Sequence, residues 1–172
     1  MRKLGSEISK MAGILCIMAI YPGCEFRTND SVRNAETVRS EILHMFDSYH
    51  GDIAEEGLTG EFKYLDSSSD FFWVPPGYSS ALSYDSVHAI LERNAPAFKQ
   101  IQFHWDTLTI IPLSHDIATY HGTVGGSMTD MAGRTSPVLI LESGTVIKRQ
   151  DGWKLLCGQS RSLVTEGPVS GE

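Results

Sequence analysis

Cysteines and basic residues are scarce in this sequence of 172 residues, and each shortage argues against a class of protein. The three cysteines are Cys16, Cys24 and Cys157. The first two fall in or beside an N-terminal export signal, so Cys157 alone would remain in the folded domain. One cysteine cannot form an internal disulfide, and the domain must therefore be held by its hydrophobic core. The 21 acidic residues outnumber the 14 basic ones, and a net charge of −7 argues against a nucleic-acid partner.

Internal repeats, low-complexity tracts and the Cys/His spacing of metal sites are also missing from the sequence. We therefore predict no metal site and no cofactor. The chain length and the hydrophobic share of 41% suit one domain with one sizeable core.

The N-terminus has an apolar run, Met11 to Ile20, that is too short for a stable membrane span. A basic segment precedes it, and Tyr21-Pro22-Gly23-Cys24 follows it, which is typical of an export signal. The small residue before Cys24 resembles the bacterial lipobox, which implies lipidation of that cysteine. A plainly cleaved secretory signal and an uncleaved anchor are the alternatives.

These features predict four regions: a signal peptide over 1–23, the lipidated Cys24 with a tether over 24–33, a folded domain over 34–164, and a flexible tail over 165–172. The predicted location is outside the cytoplasm, on the periplasmic or cell-surface side, with a lipid anchor in the membrane.

Hydrophobic periodicity predicts two amphipathic helices. Apolar residues recur at spacings of three and four over 34–55, and again from Ser83, a plausible N-cap, through Phe98. Between these helices a short strand over 70–74 is stopped by Pro75-Pro76-Gly77.

The rest of the sequence predicts antiparallel strands, over 102–111, over 115–127 and in a hairpin over 135–163. Asp151-Gly152 can supply the positive φ angles that the turn of a hairpin needs. The alternation in the first of these strands blurs after Asp106, which indicates a bulge or bend.

Three segments in order make the pattern more specific: the first helix ending in GDIAEEG, the strand FFWVPPG before the helix SYDSVHAI, and the final DGWKLLCGQSRS. Over residues 34–164 this set resembles the SnoaL-like branch of the nuclear transport factor 2-like superfamily. The resemblance implies an α+β fold, in which a cone-shaped curved antiparallel sheet packs against two or three N-terminal helices. It also implies a pocket between the concave sheet face and the first long helix.

Members of this superfamily include cyclases, isomerases and dehydratases, and also proteins that bind ligands or partners without known catalysis. The steroid isomerase members carry an Asp just before a proline on the first strand, where this chain has Trp73-Val74-Pro75. Gln159 stands where relatives often carry a pocket histidine, and glutamine cannot act as a general base at neutral pH. Both departures favour binding over catalysis.

The predicted ligand-binding residues are aromatic or can form hydrogen bonds: Tyr49, Trp73, Tyr78, Gln159 and Arg161. Ordinary core packing is the alternative for the aromatic residues, and a salt bridge at the rim is the alternative for Arg161. The weaker catalytic candidates are His104 or His121 as base with Asp106 as orienter. Alternation alone does not say which strand face points into the cone.

Three hypotheses follow for the function of the domain. The first is binding of a small, largely apolar ligand in the cone, without support for catalysis. The second is an enzyme of the cyclase, isomerase or dehydratase type that uses a pocket histidine as general base. The third is an interaction module that forms a homodimer through its sheet.

Overall fold

The structure is a computed structural model that describes residues 26–163, with side chains from residue 33 onward. The predicted signal peptide, the lipidated Cys24 and the tail over 165–172 lie outside the described residues. Within residues 26–163 no helix is both long enough and apolar enough to cross a membrane. The elements are α1 (Phe26–Glu56), a 3₁₀ helix (Gly57–Tyr64), β1 (Phe72–Val74), α2 (Tyr84–Asn94), a second 3₁₀ helix (Ala95–Ala97), β2 (Phe98–Pro112), β3 (Ile117–Asp130), β4 (Thr135–Arg149) and β5 (Gly152–Ser162).

Five strands form one sheet in the order β1-β5-β4-β3-β2. The four long strands pair antiparallel in sequence order, and both helices pack on one side of the curved sheet. This arrangement confirms the predicted α+β cone. The short β1 pairs parallel with β5, so the sheet is mixed rather than wholly antiparallel.

Both predicted helices are present, with different bounds. Helix α1 begins at Phe26 rather than near residue 34, and its first turns occupy the stretch predicted as a tether. That stretch is polar but contains no Gly or Pro to interrupt a helix. Helix α2 is capped as predicted, because the Ser83 side chain accepts a hydrogen bond from the amide of Ser86. Pro96 falls in the short 3₁₀ helix that follows α2.

The predicted hairpin is formed by β4 and β5, and Gly152 in its turn has φ of 121°. The predicted irregularity in β2 is also present, because the register with β3 shifts between Trp105 and Thr107. Another register shift lies between β4 and β5. There Val146 pairs with Leu155 and Thr145 pairs with Cys157, which leaves Leu156 as an extra residue in β5.

The main core lies between the inner face of α1 and the concave side of the sheet. Phe46 of α1 is buried against Trp105 and Tyr120, with ring centroids 5.1 and 4.8 Å away. At one end, the indole N–H of Trp153 donates to the carboxylate of Glu41 at 2.9 Å, tying β5 to α1. At the other end the core is not filled, and an interior cavity remains.

Candidate functional site

The cavity lies between α1, the first 3₁₀ helix, α2 and the concave face of the sheet, and has a volume of about 250 Å³. Its walls are mainly apolar: Leu58, Leu65, Trp73, Pro75, Pro76, Val87, Ile90, Leu91, Phe103, Val124, Met128, Ile140 and Leu155. Five further lining residues have polar groups: Tyr49, His50, Glu61, Glu142 and Ser160. A concave apolar space with a few polar groups is the usual form of a small-molecule site.

Glu142 reaches the cavity from β4. The strand points Ile140, Glu142 and Val146 inward, so the periodicity that turns two aliphatic residues towards the interior also carries this carboxylate inward. The hydroxyl of Tyr120 donates to Glu142 Oε1 at 2.8 Å, and that of Ser160 donates to Oε2 at 3.3 Å. Both carboxylate oxygens therefore have a neutral donor.

The Ser160 hydroxyl also links this carboxylate to the cavity wall. It accepts a hydrogen bond of 2.9 Å from the indole N–H of Trp73 on β1. Trp73 packs against Gly158, where an added Cβ would lie 2.5 Å from the indole ring. The absence of a side chain at Gly158 therefore allows the ring to pack closely on β5, where its N–H donates to Ser160.

A second carboxylate, Glu61, enters from the first 3₁₀ helix. Its Oε2 accepts a hydrogen bond of 3.1 Å from the hydroxyl of Tyr49 on α1. Like Glu142, Glu61 keeps some accessible surface, and that surface faces the cavity. The two carboxylates are close enough for the charge of Glu142 to raise the pKa of Glu61.

Burial dominates the acid–base behaviour of both carboxylates. Loss of solvation raises the pKa of Glu142 to about 7, although the hydrogen bonds from Tyr120 and Ser160 act in the opposite direction. Loss of solvation likewise raises the pKa of Glu61 to about 7, with the Tyr49 hydroxyl opposing the shift. Near neutral pH, each side chain can therefore either release or accept a proton.

Tyr49 and His50 are the other titratable groups in the cavity wall, and burial raises the pKa of the Tyr49 hydroxyl, which therefore stays neutral. Burial lowers the pKa of His50 to about 4, so its imidazole is uncharged at neutral pH. None of the described lining residues is a Lys or an Arg. The site therefore contains two carboxylates and no permanent positive charge.

The structure places two of the five predicted ligand-binding residues in the cavity wall. Tyr49 and Trp73 line the cavity, and each uses its polar tip to hold another site residue. Tyr78 does not line the cavity, because it belongs to the turn after the Pro75-Pro76 break and its side chain is exposed.

Gln159 and Arg161 lie on the outer face of β5, outside the cavity. The cause is the extra residue Leu156, since one inserted residue reverses which positions of a strand face inward. Before Leu156, Trp153 and Leu155 point inward. After Leu156, Ser160 points inward and lines the cavity.

His104 and Asp106 lie together, with Nε2 and Oδ1 3.0 Å apart, but both side chains are substantially exposed and neither lines the cavity. His121 is also exposed, on the outer face of β3. The predicted His–Asp arrangement is thus present as a contact at the surface. It does not face the concave side of the sheet.

The sequence analysis did not identify Glu61, Glu142, Tyr120 and Ser160. The sequence did contain a signal for Glu142. This acidic residue lies in strand alternation with Ile140 and Val146, the residues that point inward. An acid in such a position is rare unless it has a partner. No comparable signal existed for Glu61, which lies in a 3₁₀ helix of eight residues and not at the inward position of a strand.

Comparison with protein-family models and with curated proteins finds no match. Solved structures do match. A superfamily protein from Salmonella enterica serovar Typhimurium, described as nuclear transport factor 2-like, superposes with a TM-score of 0.64 at 15% identity, covering 80% of this chain and 99% of that one. The domain has the nuclear transport factor 2-like fold.

Two further structures with this fold illustrate the range of proteins that use it. A provisionally assigned scytalone dehydratase from Novosphingobium aromaticivorans has a TM-score of 0.65 at 15% identity, covering 77% of this chain and 89% of its own. A provisionally assigned calcium/calmodulin-dependent kinase II association domain from Xanthomonas campestris has a TM-score of 0.62 at 18% identity, covering 73% and 87%. At such identities the likeness establishes the nuclear transport factor 2-like fold, which both ligand-binding and enzymatic members share.

Proposed function

We propose that this domain binds a small, largely apolar ligand in the cone between the sheet and α1. The observation that carries the proposal is the cavity of about 250 Å³, whose apolar walls converge on two carboxylates held by Tyr49, Tyr120 and Ser160. Apolar walls supply affinity through burial, and a few fixed polar groups supply orientation.

Binding of the uncharged fluorescent dye N-phenylnaphthylamine to the full chain tests this proposal. The dye should gain fluorescence with saturable binding, and Ile90→Trp, which fills part of the cavity from α2, should abolish that gain. Ala89→Trp places the same side chain at the neighbouring exposed position of α2, and should leave dye binding unchanged. Mass spectrometry of small molecules that co-purify with the native protein then identifies the natural ligand.

Equal dye binding by both tryptophan variants would contradict the proposal, because the dye would then occupy another surface. Circular dichroism establishes whether Ile90→Trp is folded. Should it unfold, Ile90→Phe provides a smaller obstruction, and it should weaken dye binding in proportion to the volume lost.

Catalysis is a second candidate function, favoured by the protonation behaviour of Glu142. A carboxylate whose pKa lies at about 7 in an apolar site can take a proton from carbon near neutral pH. The provisional dehydratase assignment of one structure with this fold is consistent with such chemistry. Since His104 and His121 do not line the cavity, Glu142 replaces them as the proposed base.

Nitrobenzisoxazole provides a direct assay for a buried base, because removal of its ring proton breaks the N–O bond and releases a coloured cyanophenolate. The rate should rise with pH through about 7, as Glu142 ionises, and should fall at least about tenfold in Glu142→Gln. Glu55→Gln, a matched change at an exposed position of α1, should retain the rate. A rate that is equal in both variants would exclude Glu142 as the base.

A further inference from the structure

The two cavity carboxylates differ from Asp66 and Glu41, two acidic side chains that link separate elements of this domain. Buried Asp66 is paired with Arg149, whose Nε lies 2.8 Å from Oδ2, and Glu41 is paired with Lys148 at 2.6 Å. Within residues 33–163, Glu61 and Glu142 form no salt bridge, and the donors that they meet are neutral hydroxyls. Within the described residues, no positively charged side chain pairs with either carboxylate.

An uncompensated pair of carboxylates in an apolar cavity is costly, because buried charges are stabilised mainly by an opposite charge and by hydrogen bonds. The hydroxyls of Tyr49 and Tyr120 donate to the carboxylates and so favour the ionised form, which accepts hydrogen bonds. A counter-charge supplied by a ligand would remove the remaining cost.

We propose that the ligand is a small apolar amine, bound as its cation by the carboxylates of Glu61 and Glu142. This inference rests on the proposed ligand-binding function and names the chemical class of the ligand. An ammonium group has three donors and no acceptor, and each ionised carboxylate has room for about four hydrogen bonds. Glu61 receives one hydrogen bond and Glu142 receives two, so both have acceptor sites left for the ligand.

The cavity walls fit the same class of ligand. Tyr49, Trp73 and Phe103 line the cavity, and aromatic faces attract organic cations in addition to their apolar contact. Among the described titratable side chains, Tyr49 from α1 and Tyr120 from β3 contact the two carboxylates, and His50 from α1 lies in the same cavity wall. None of the three is positively charged at neutral pH, so no described group competes with the ligand for the carboxylates.

A matched pair of probes tests the inference: naphthylmethylamine, which is cationic at neutral pH, and naphthylmethanol, its uncharged counterpart of nearly equal shape. Isothermal titration of the full chain should show tighter binding of the amine by about 10- to 100-fold, the range expected for a charge-assisted hydrogen bond. Binding of the amine should also release protons from the carboxylates, which appears as a dependence of the measured heat on the ionisation enthalpy of the buffer.

Glu61→Gln and Glu142→Gln should each reduce the preference for the amine over the alcohol by about tenfold or more. Glu55→Gln, on the exposed side of α1, should leave that preference unchanged. These ratios are compared within one folded variant, so a general loss of stability does not imitate the result.

The outcomes separate this inference from the proposed function. Saturable, Ile90→Trp-sensitive binding of N-phenylnaphthylamine combined with equal or tighter binding of the alcohol would overturn the amine preference and leave ligand binding intact. In that case protonated carboxyl groups donating to a neutral ligand would explain the site. If neither probe nor the dye binds in the cavity, both the amine preference and the ligand-binding function fail.

Discussion

Glu142 on β4 lies directly opposite Ser160 on β5, and the serine hydroxyl donates to the carboxylate at 3.3 Å. This pairing exists because the extra residue Leu156 moves Ser160, rather than Gln159, to the concave face. Through Ser160 the indole of Trp73 is connected to the same carboxylate. One irregularity in one strand therefore sets the polar end of the cavity.

Replacing Glu142 should change how the stability of the protein depends on pH. Burial raises the pKa of Glu142 from 4.5 to about 7 in the folded state, so its protonated form stabilises the fold below about pH 4.5, and this contribution is lost as pH rises through about 7. Relative to wild type, Glu142→Gln should become more stable with rising pH over that range, by up to about 3 kcal/mol in the free energy of unfolding. Urea denaturation at a series of pH values measures the difference.

Glu55→Gln, the same change at an exposed position of α1, is the control for that series and should not reproduce the gain in stability of Glu142→Gln. A stability of Glu142→Gln relative to wild type that stays constant, or that falls as pH rises, would contradict the buried position of the carboxylate.

Removing the hydroxyl of Tyr49 should raise the pKa of Glu61 further. The Tyr49 hydroxyl donates to Glu61 at 3.1 Å and stabilises its ionised form, so Tyr49→Phe removes a group that holds the pKa down. Loss of this hydrogen bond should also cost about 1 kcal/mol of stability at neutral pH. The carboxyl carbon shift of Glu61, followed by NMR during a pH titration, measures the change.

Tyr64→Phe is the matched control, because Tyr64 donates to Asp52 and lies outside the cavity wall. It should leave the Glu61 titration in place. An unchanged or lowered pKa of Glu61 in Tyr49→Phe would show that the two side chains are not hydrogen-bonded in solution.

Adding a methyl group at Gly158 should displace Trp73. An ideal Cβ there would lie 2.5 Å from the Trp73 ring and 2.5 Å from the carbonyl oxygen of Ser143, and neither neighbour can give way easily. Gly158→Ala should cost about 1–3 kcal/mol of stability and change the tryptophan fluorescence. Gly51→Ala, in open space on α1, should instead stabilise by about 0.5–1 kcal/mol. Equal effects at the two glycines would refute the close packing of Trp73 on β5.

Homodimer formation through the outer face of the sheet stays a prediction. Phe72 and Ile111 are 46% and 47% exposed and lie on this face at opposite edges of the sheet. Ile111→Glu should shift a homodimer towards monomer in light scattering after size exclusion, because burial of the new charge would be costly. Ala89→Glu on α2 should leave the association unchanged. A wild-type protein that remains monomeric at high concentration would rule out this interface.

The lipid anchor remains a sequence-based prediction that a single substitution tests. If Cys24 is lipidated, Cys24→Ala should move the protein from the membrane fraction to the soluble fraction in a bacterial host, without changing the folded domain. Continued partitioning of Cys24→Ala with membranes would exclude lipidation at this residue as the anchor.

The sequence by itself determined the order of the two α-helices and five strands, although not their bounds. Apolar residues at a period of 3.6 or 2 specify which side of an element is buried, and local chemistry specifies its ends, as Ser83 does for α2 and Asp151-Gly152 does for the hairpin. Tyr49 and Trp73 were predictable as cavity residues for the same reason, because each lies on the apolar side of a regular element.

Only the tertiary structure decided which polar groups share the cavity. The extra residue at Leu156 is defined by pairing with β4 and cannot be read from β5 alone, yet it determines that Ser160 faces inward while Gln159 and Arg161 face outward. Glu61 and Glu142 line the same cavity because α1 and the first 3₁₀ helix pack over the concave face of the sheet. Their pKa values depend on the resulting loss of solvent, which is a property of the packed cone and not of either local sequence.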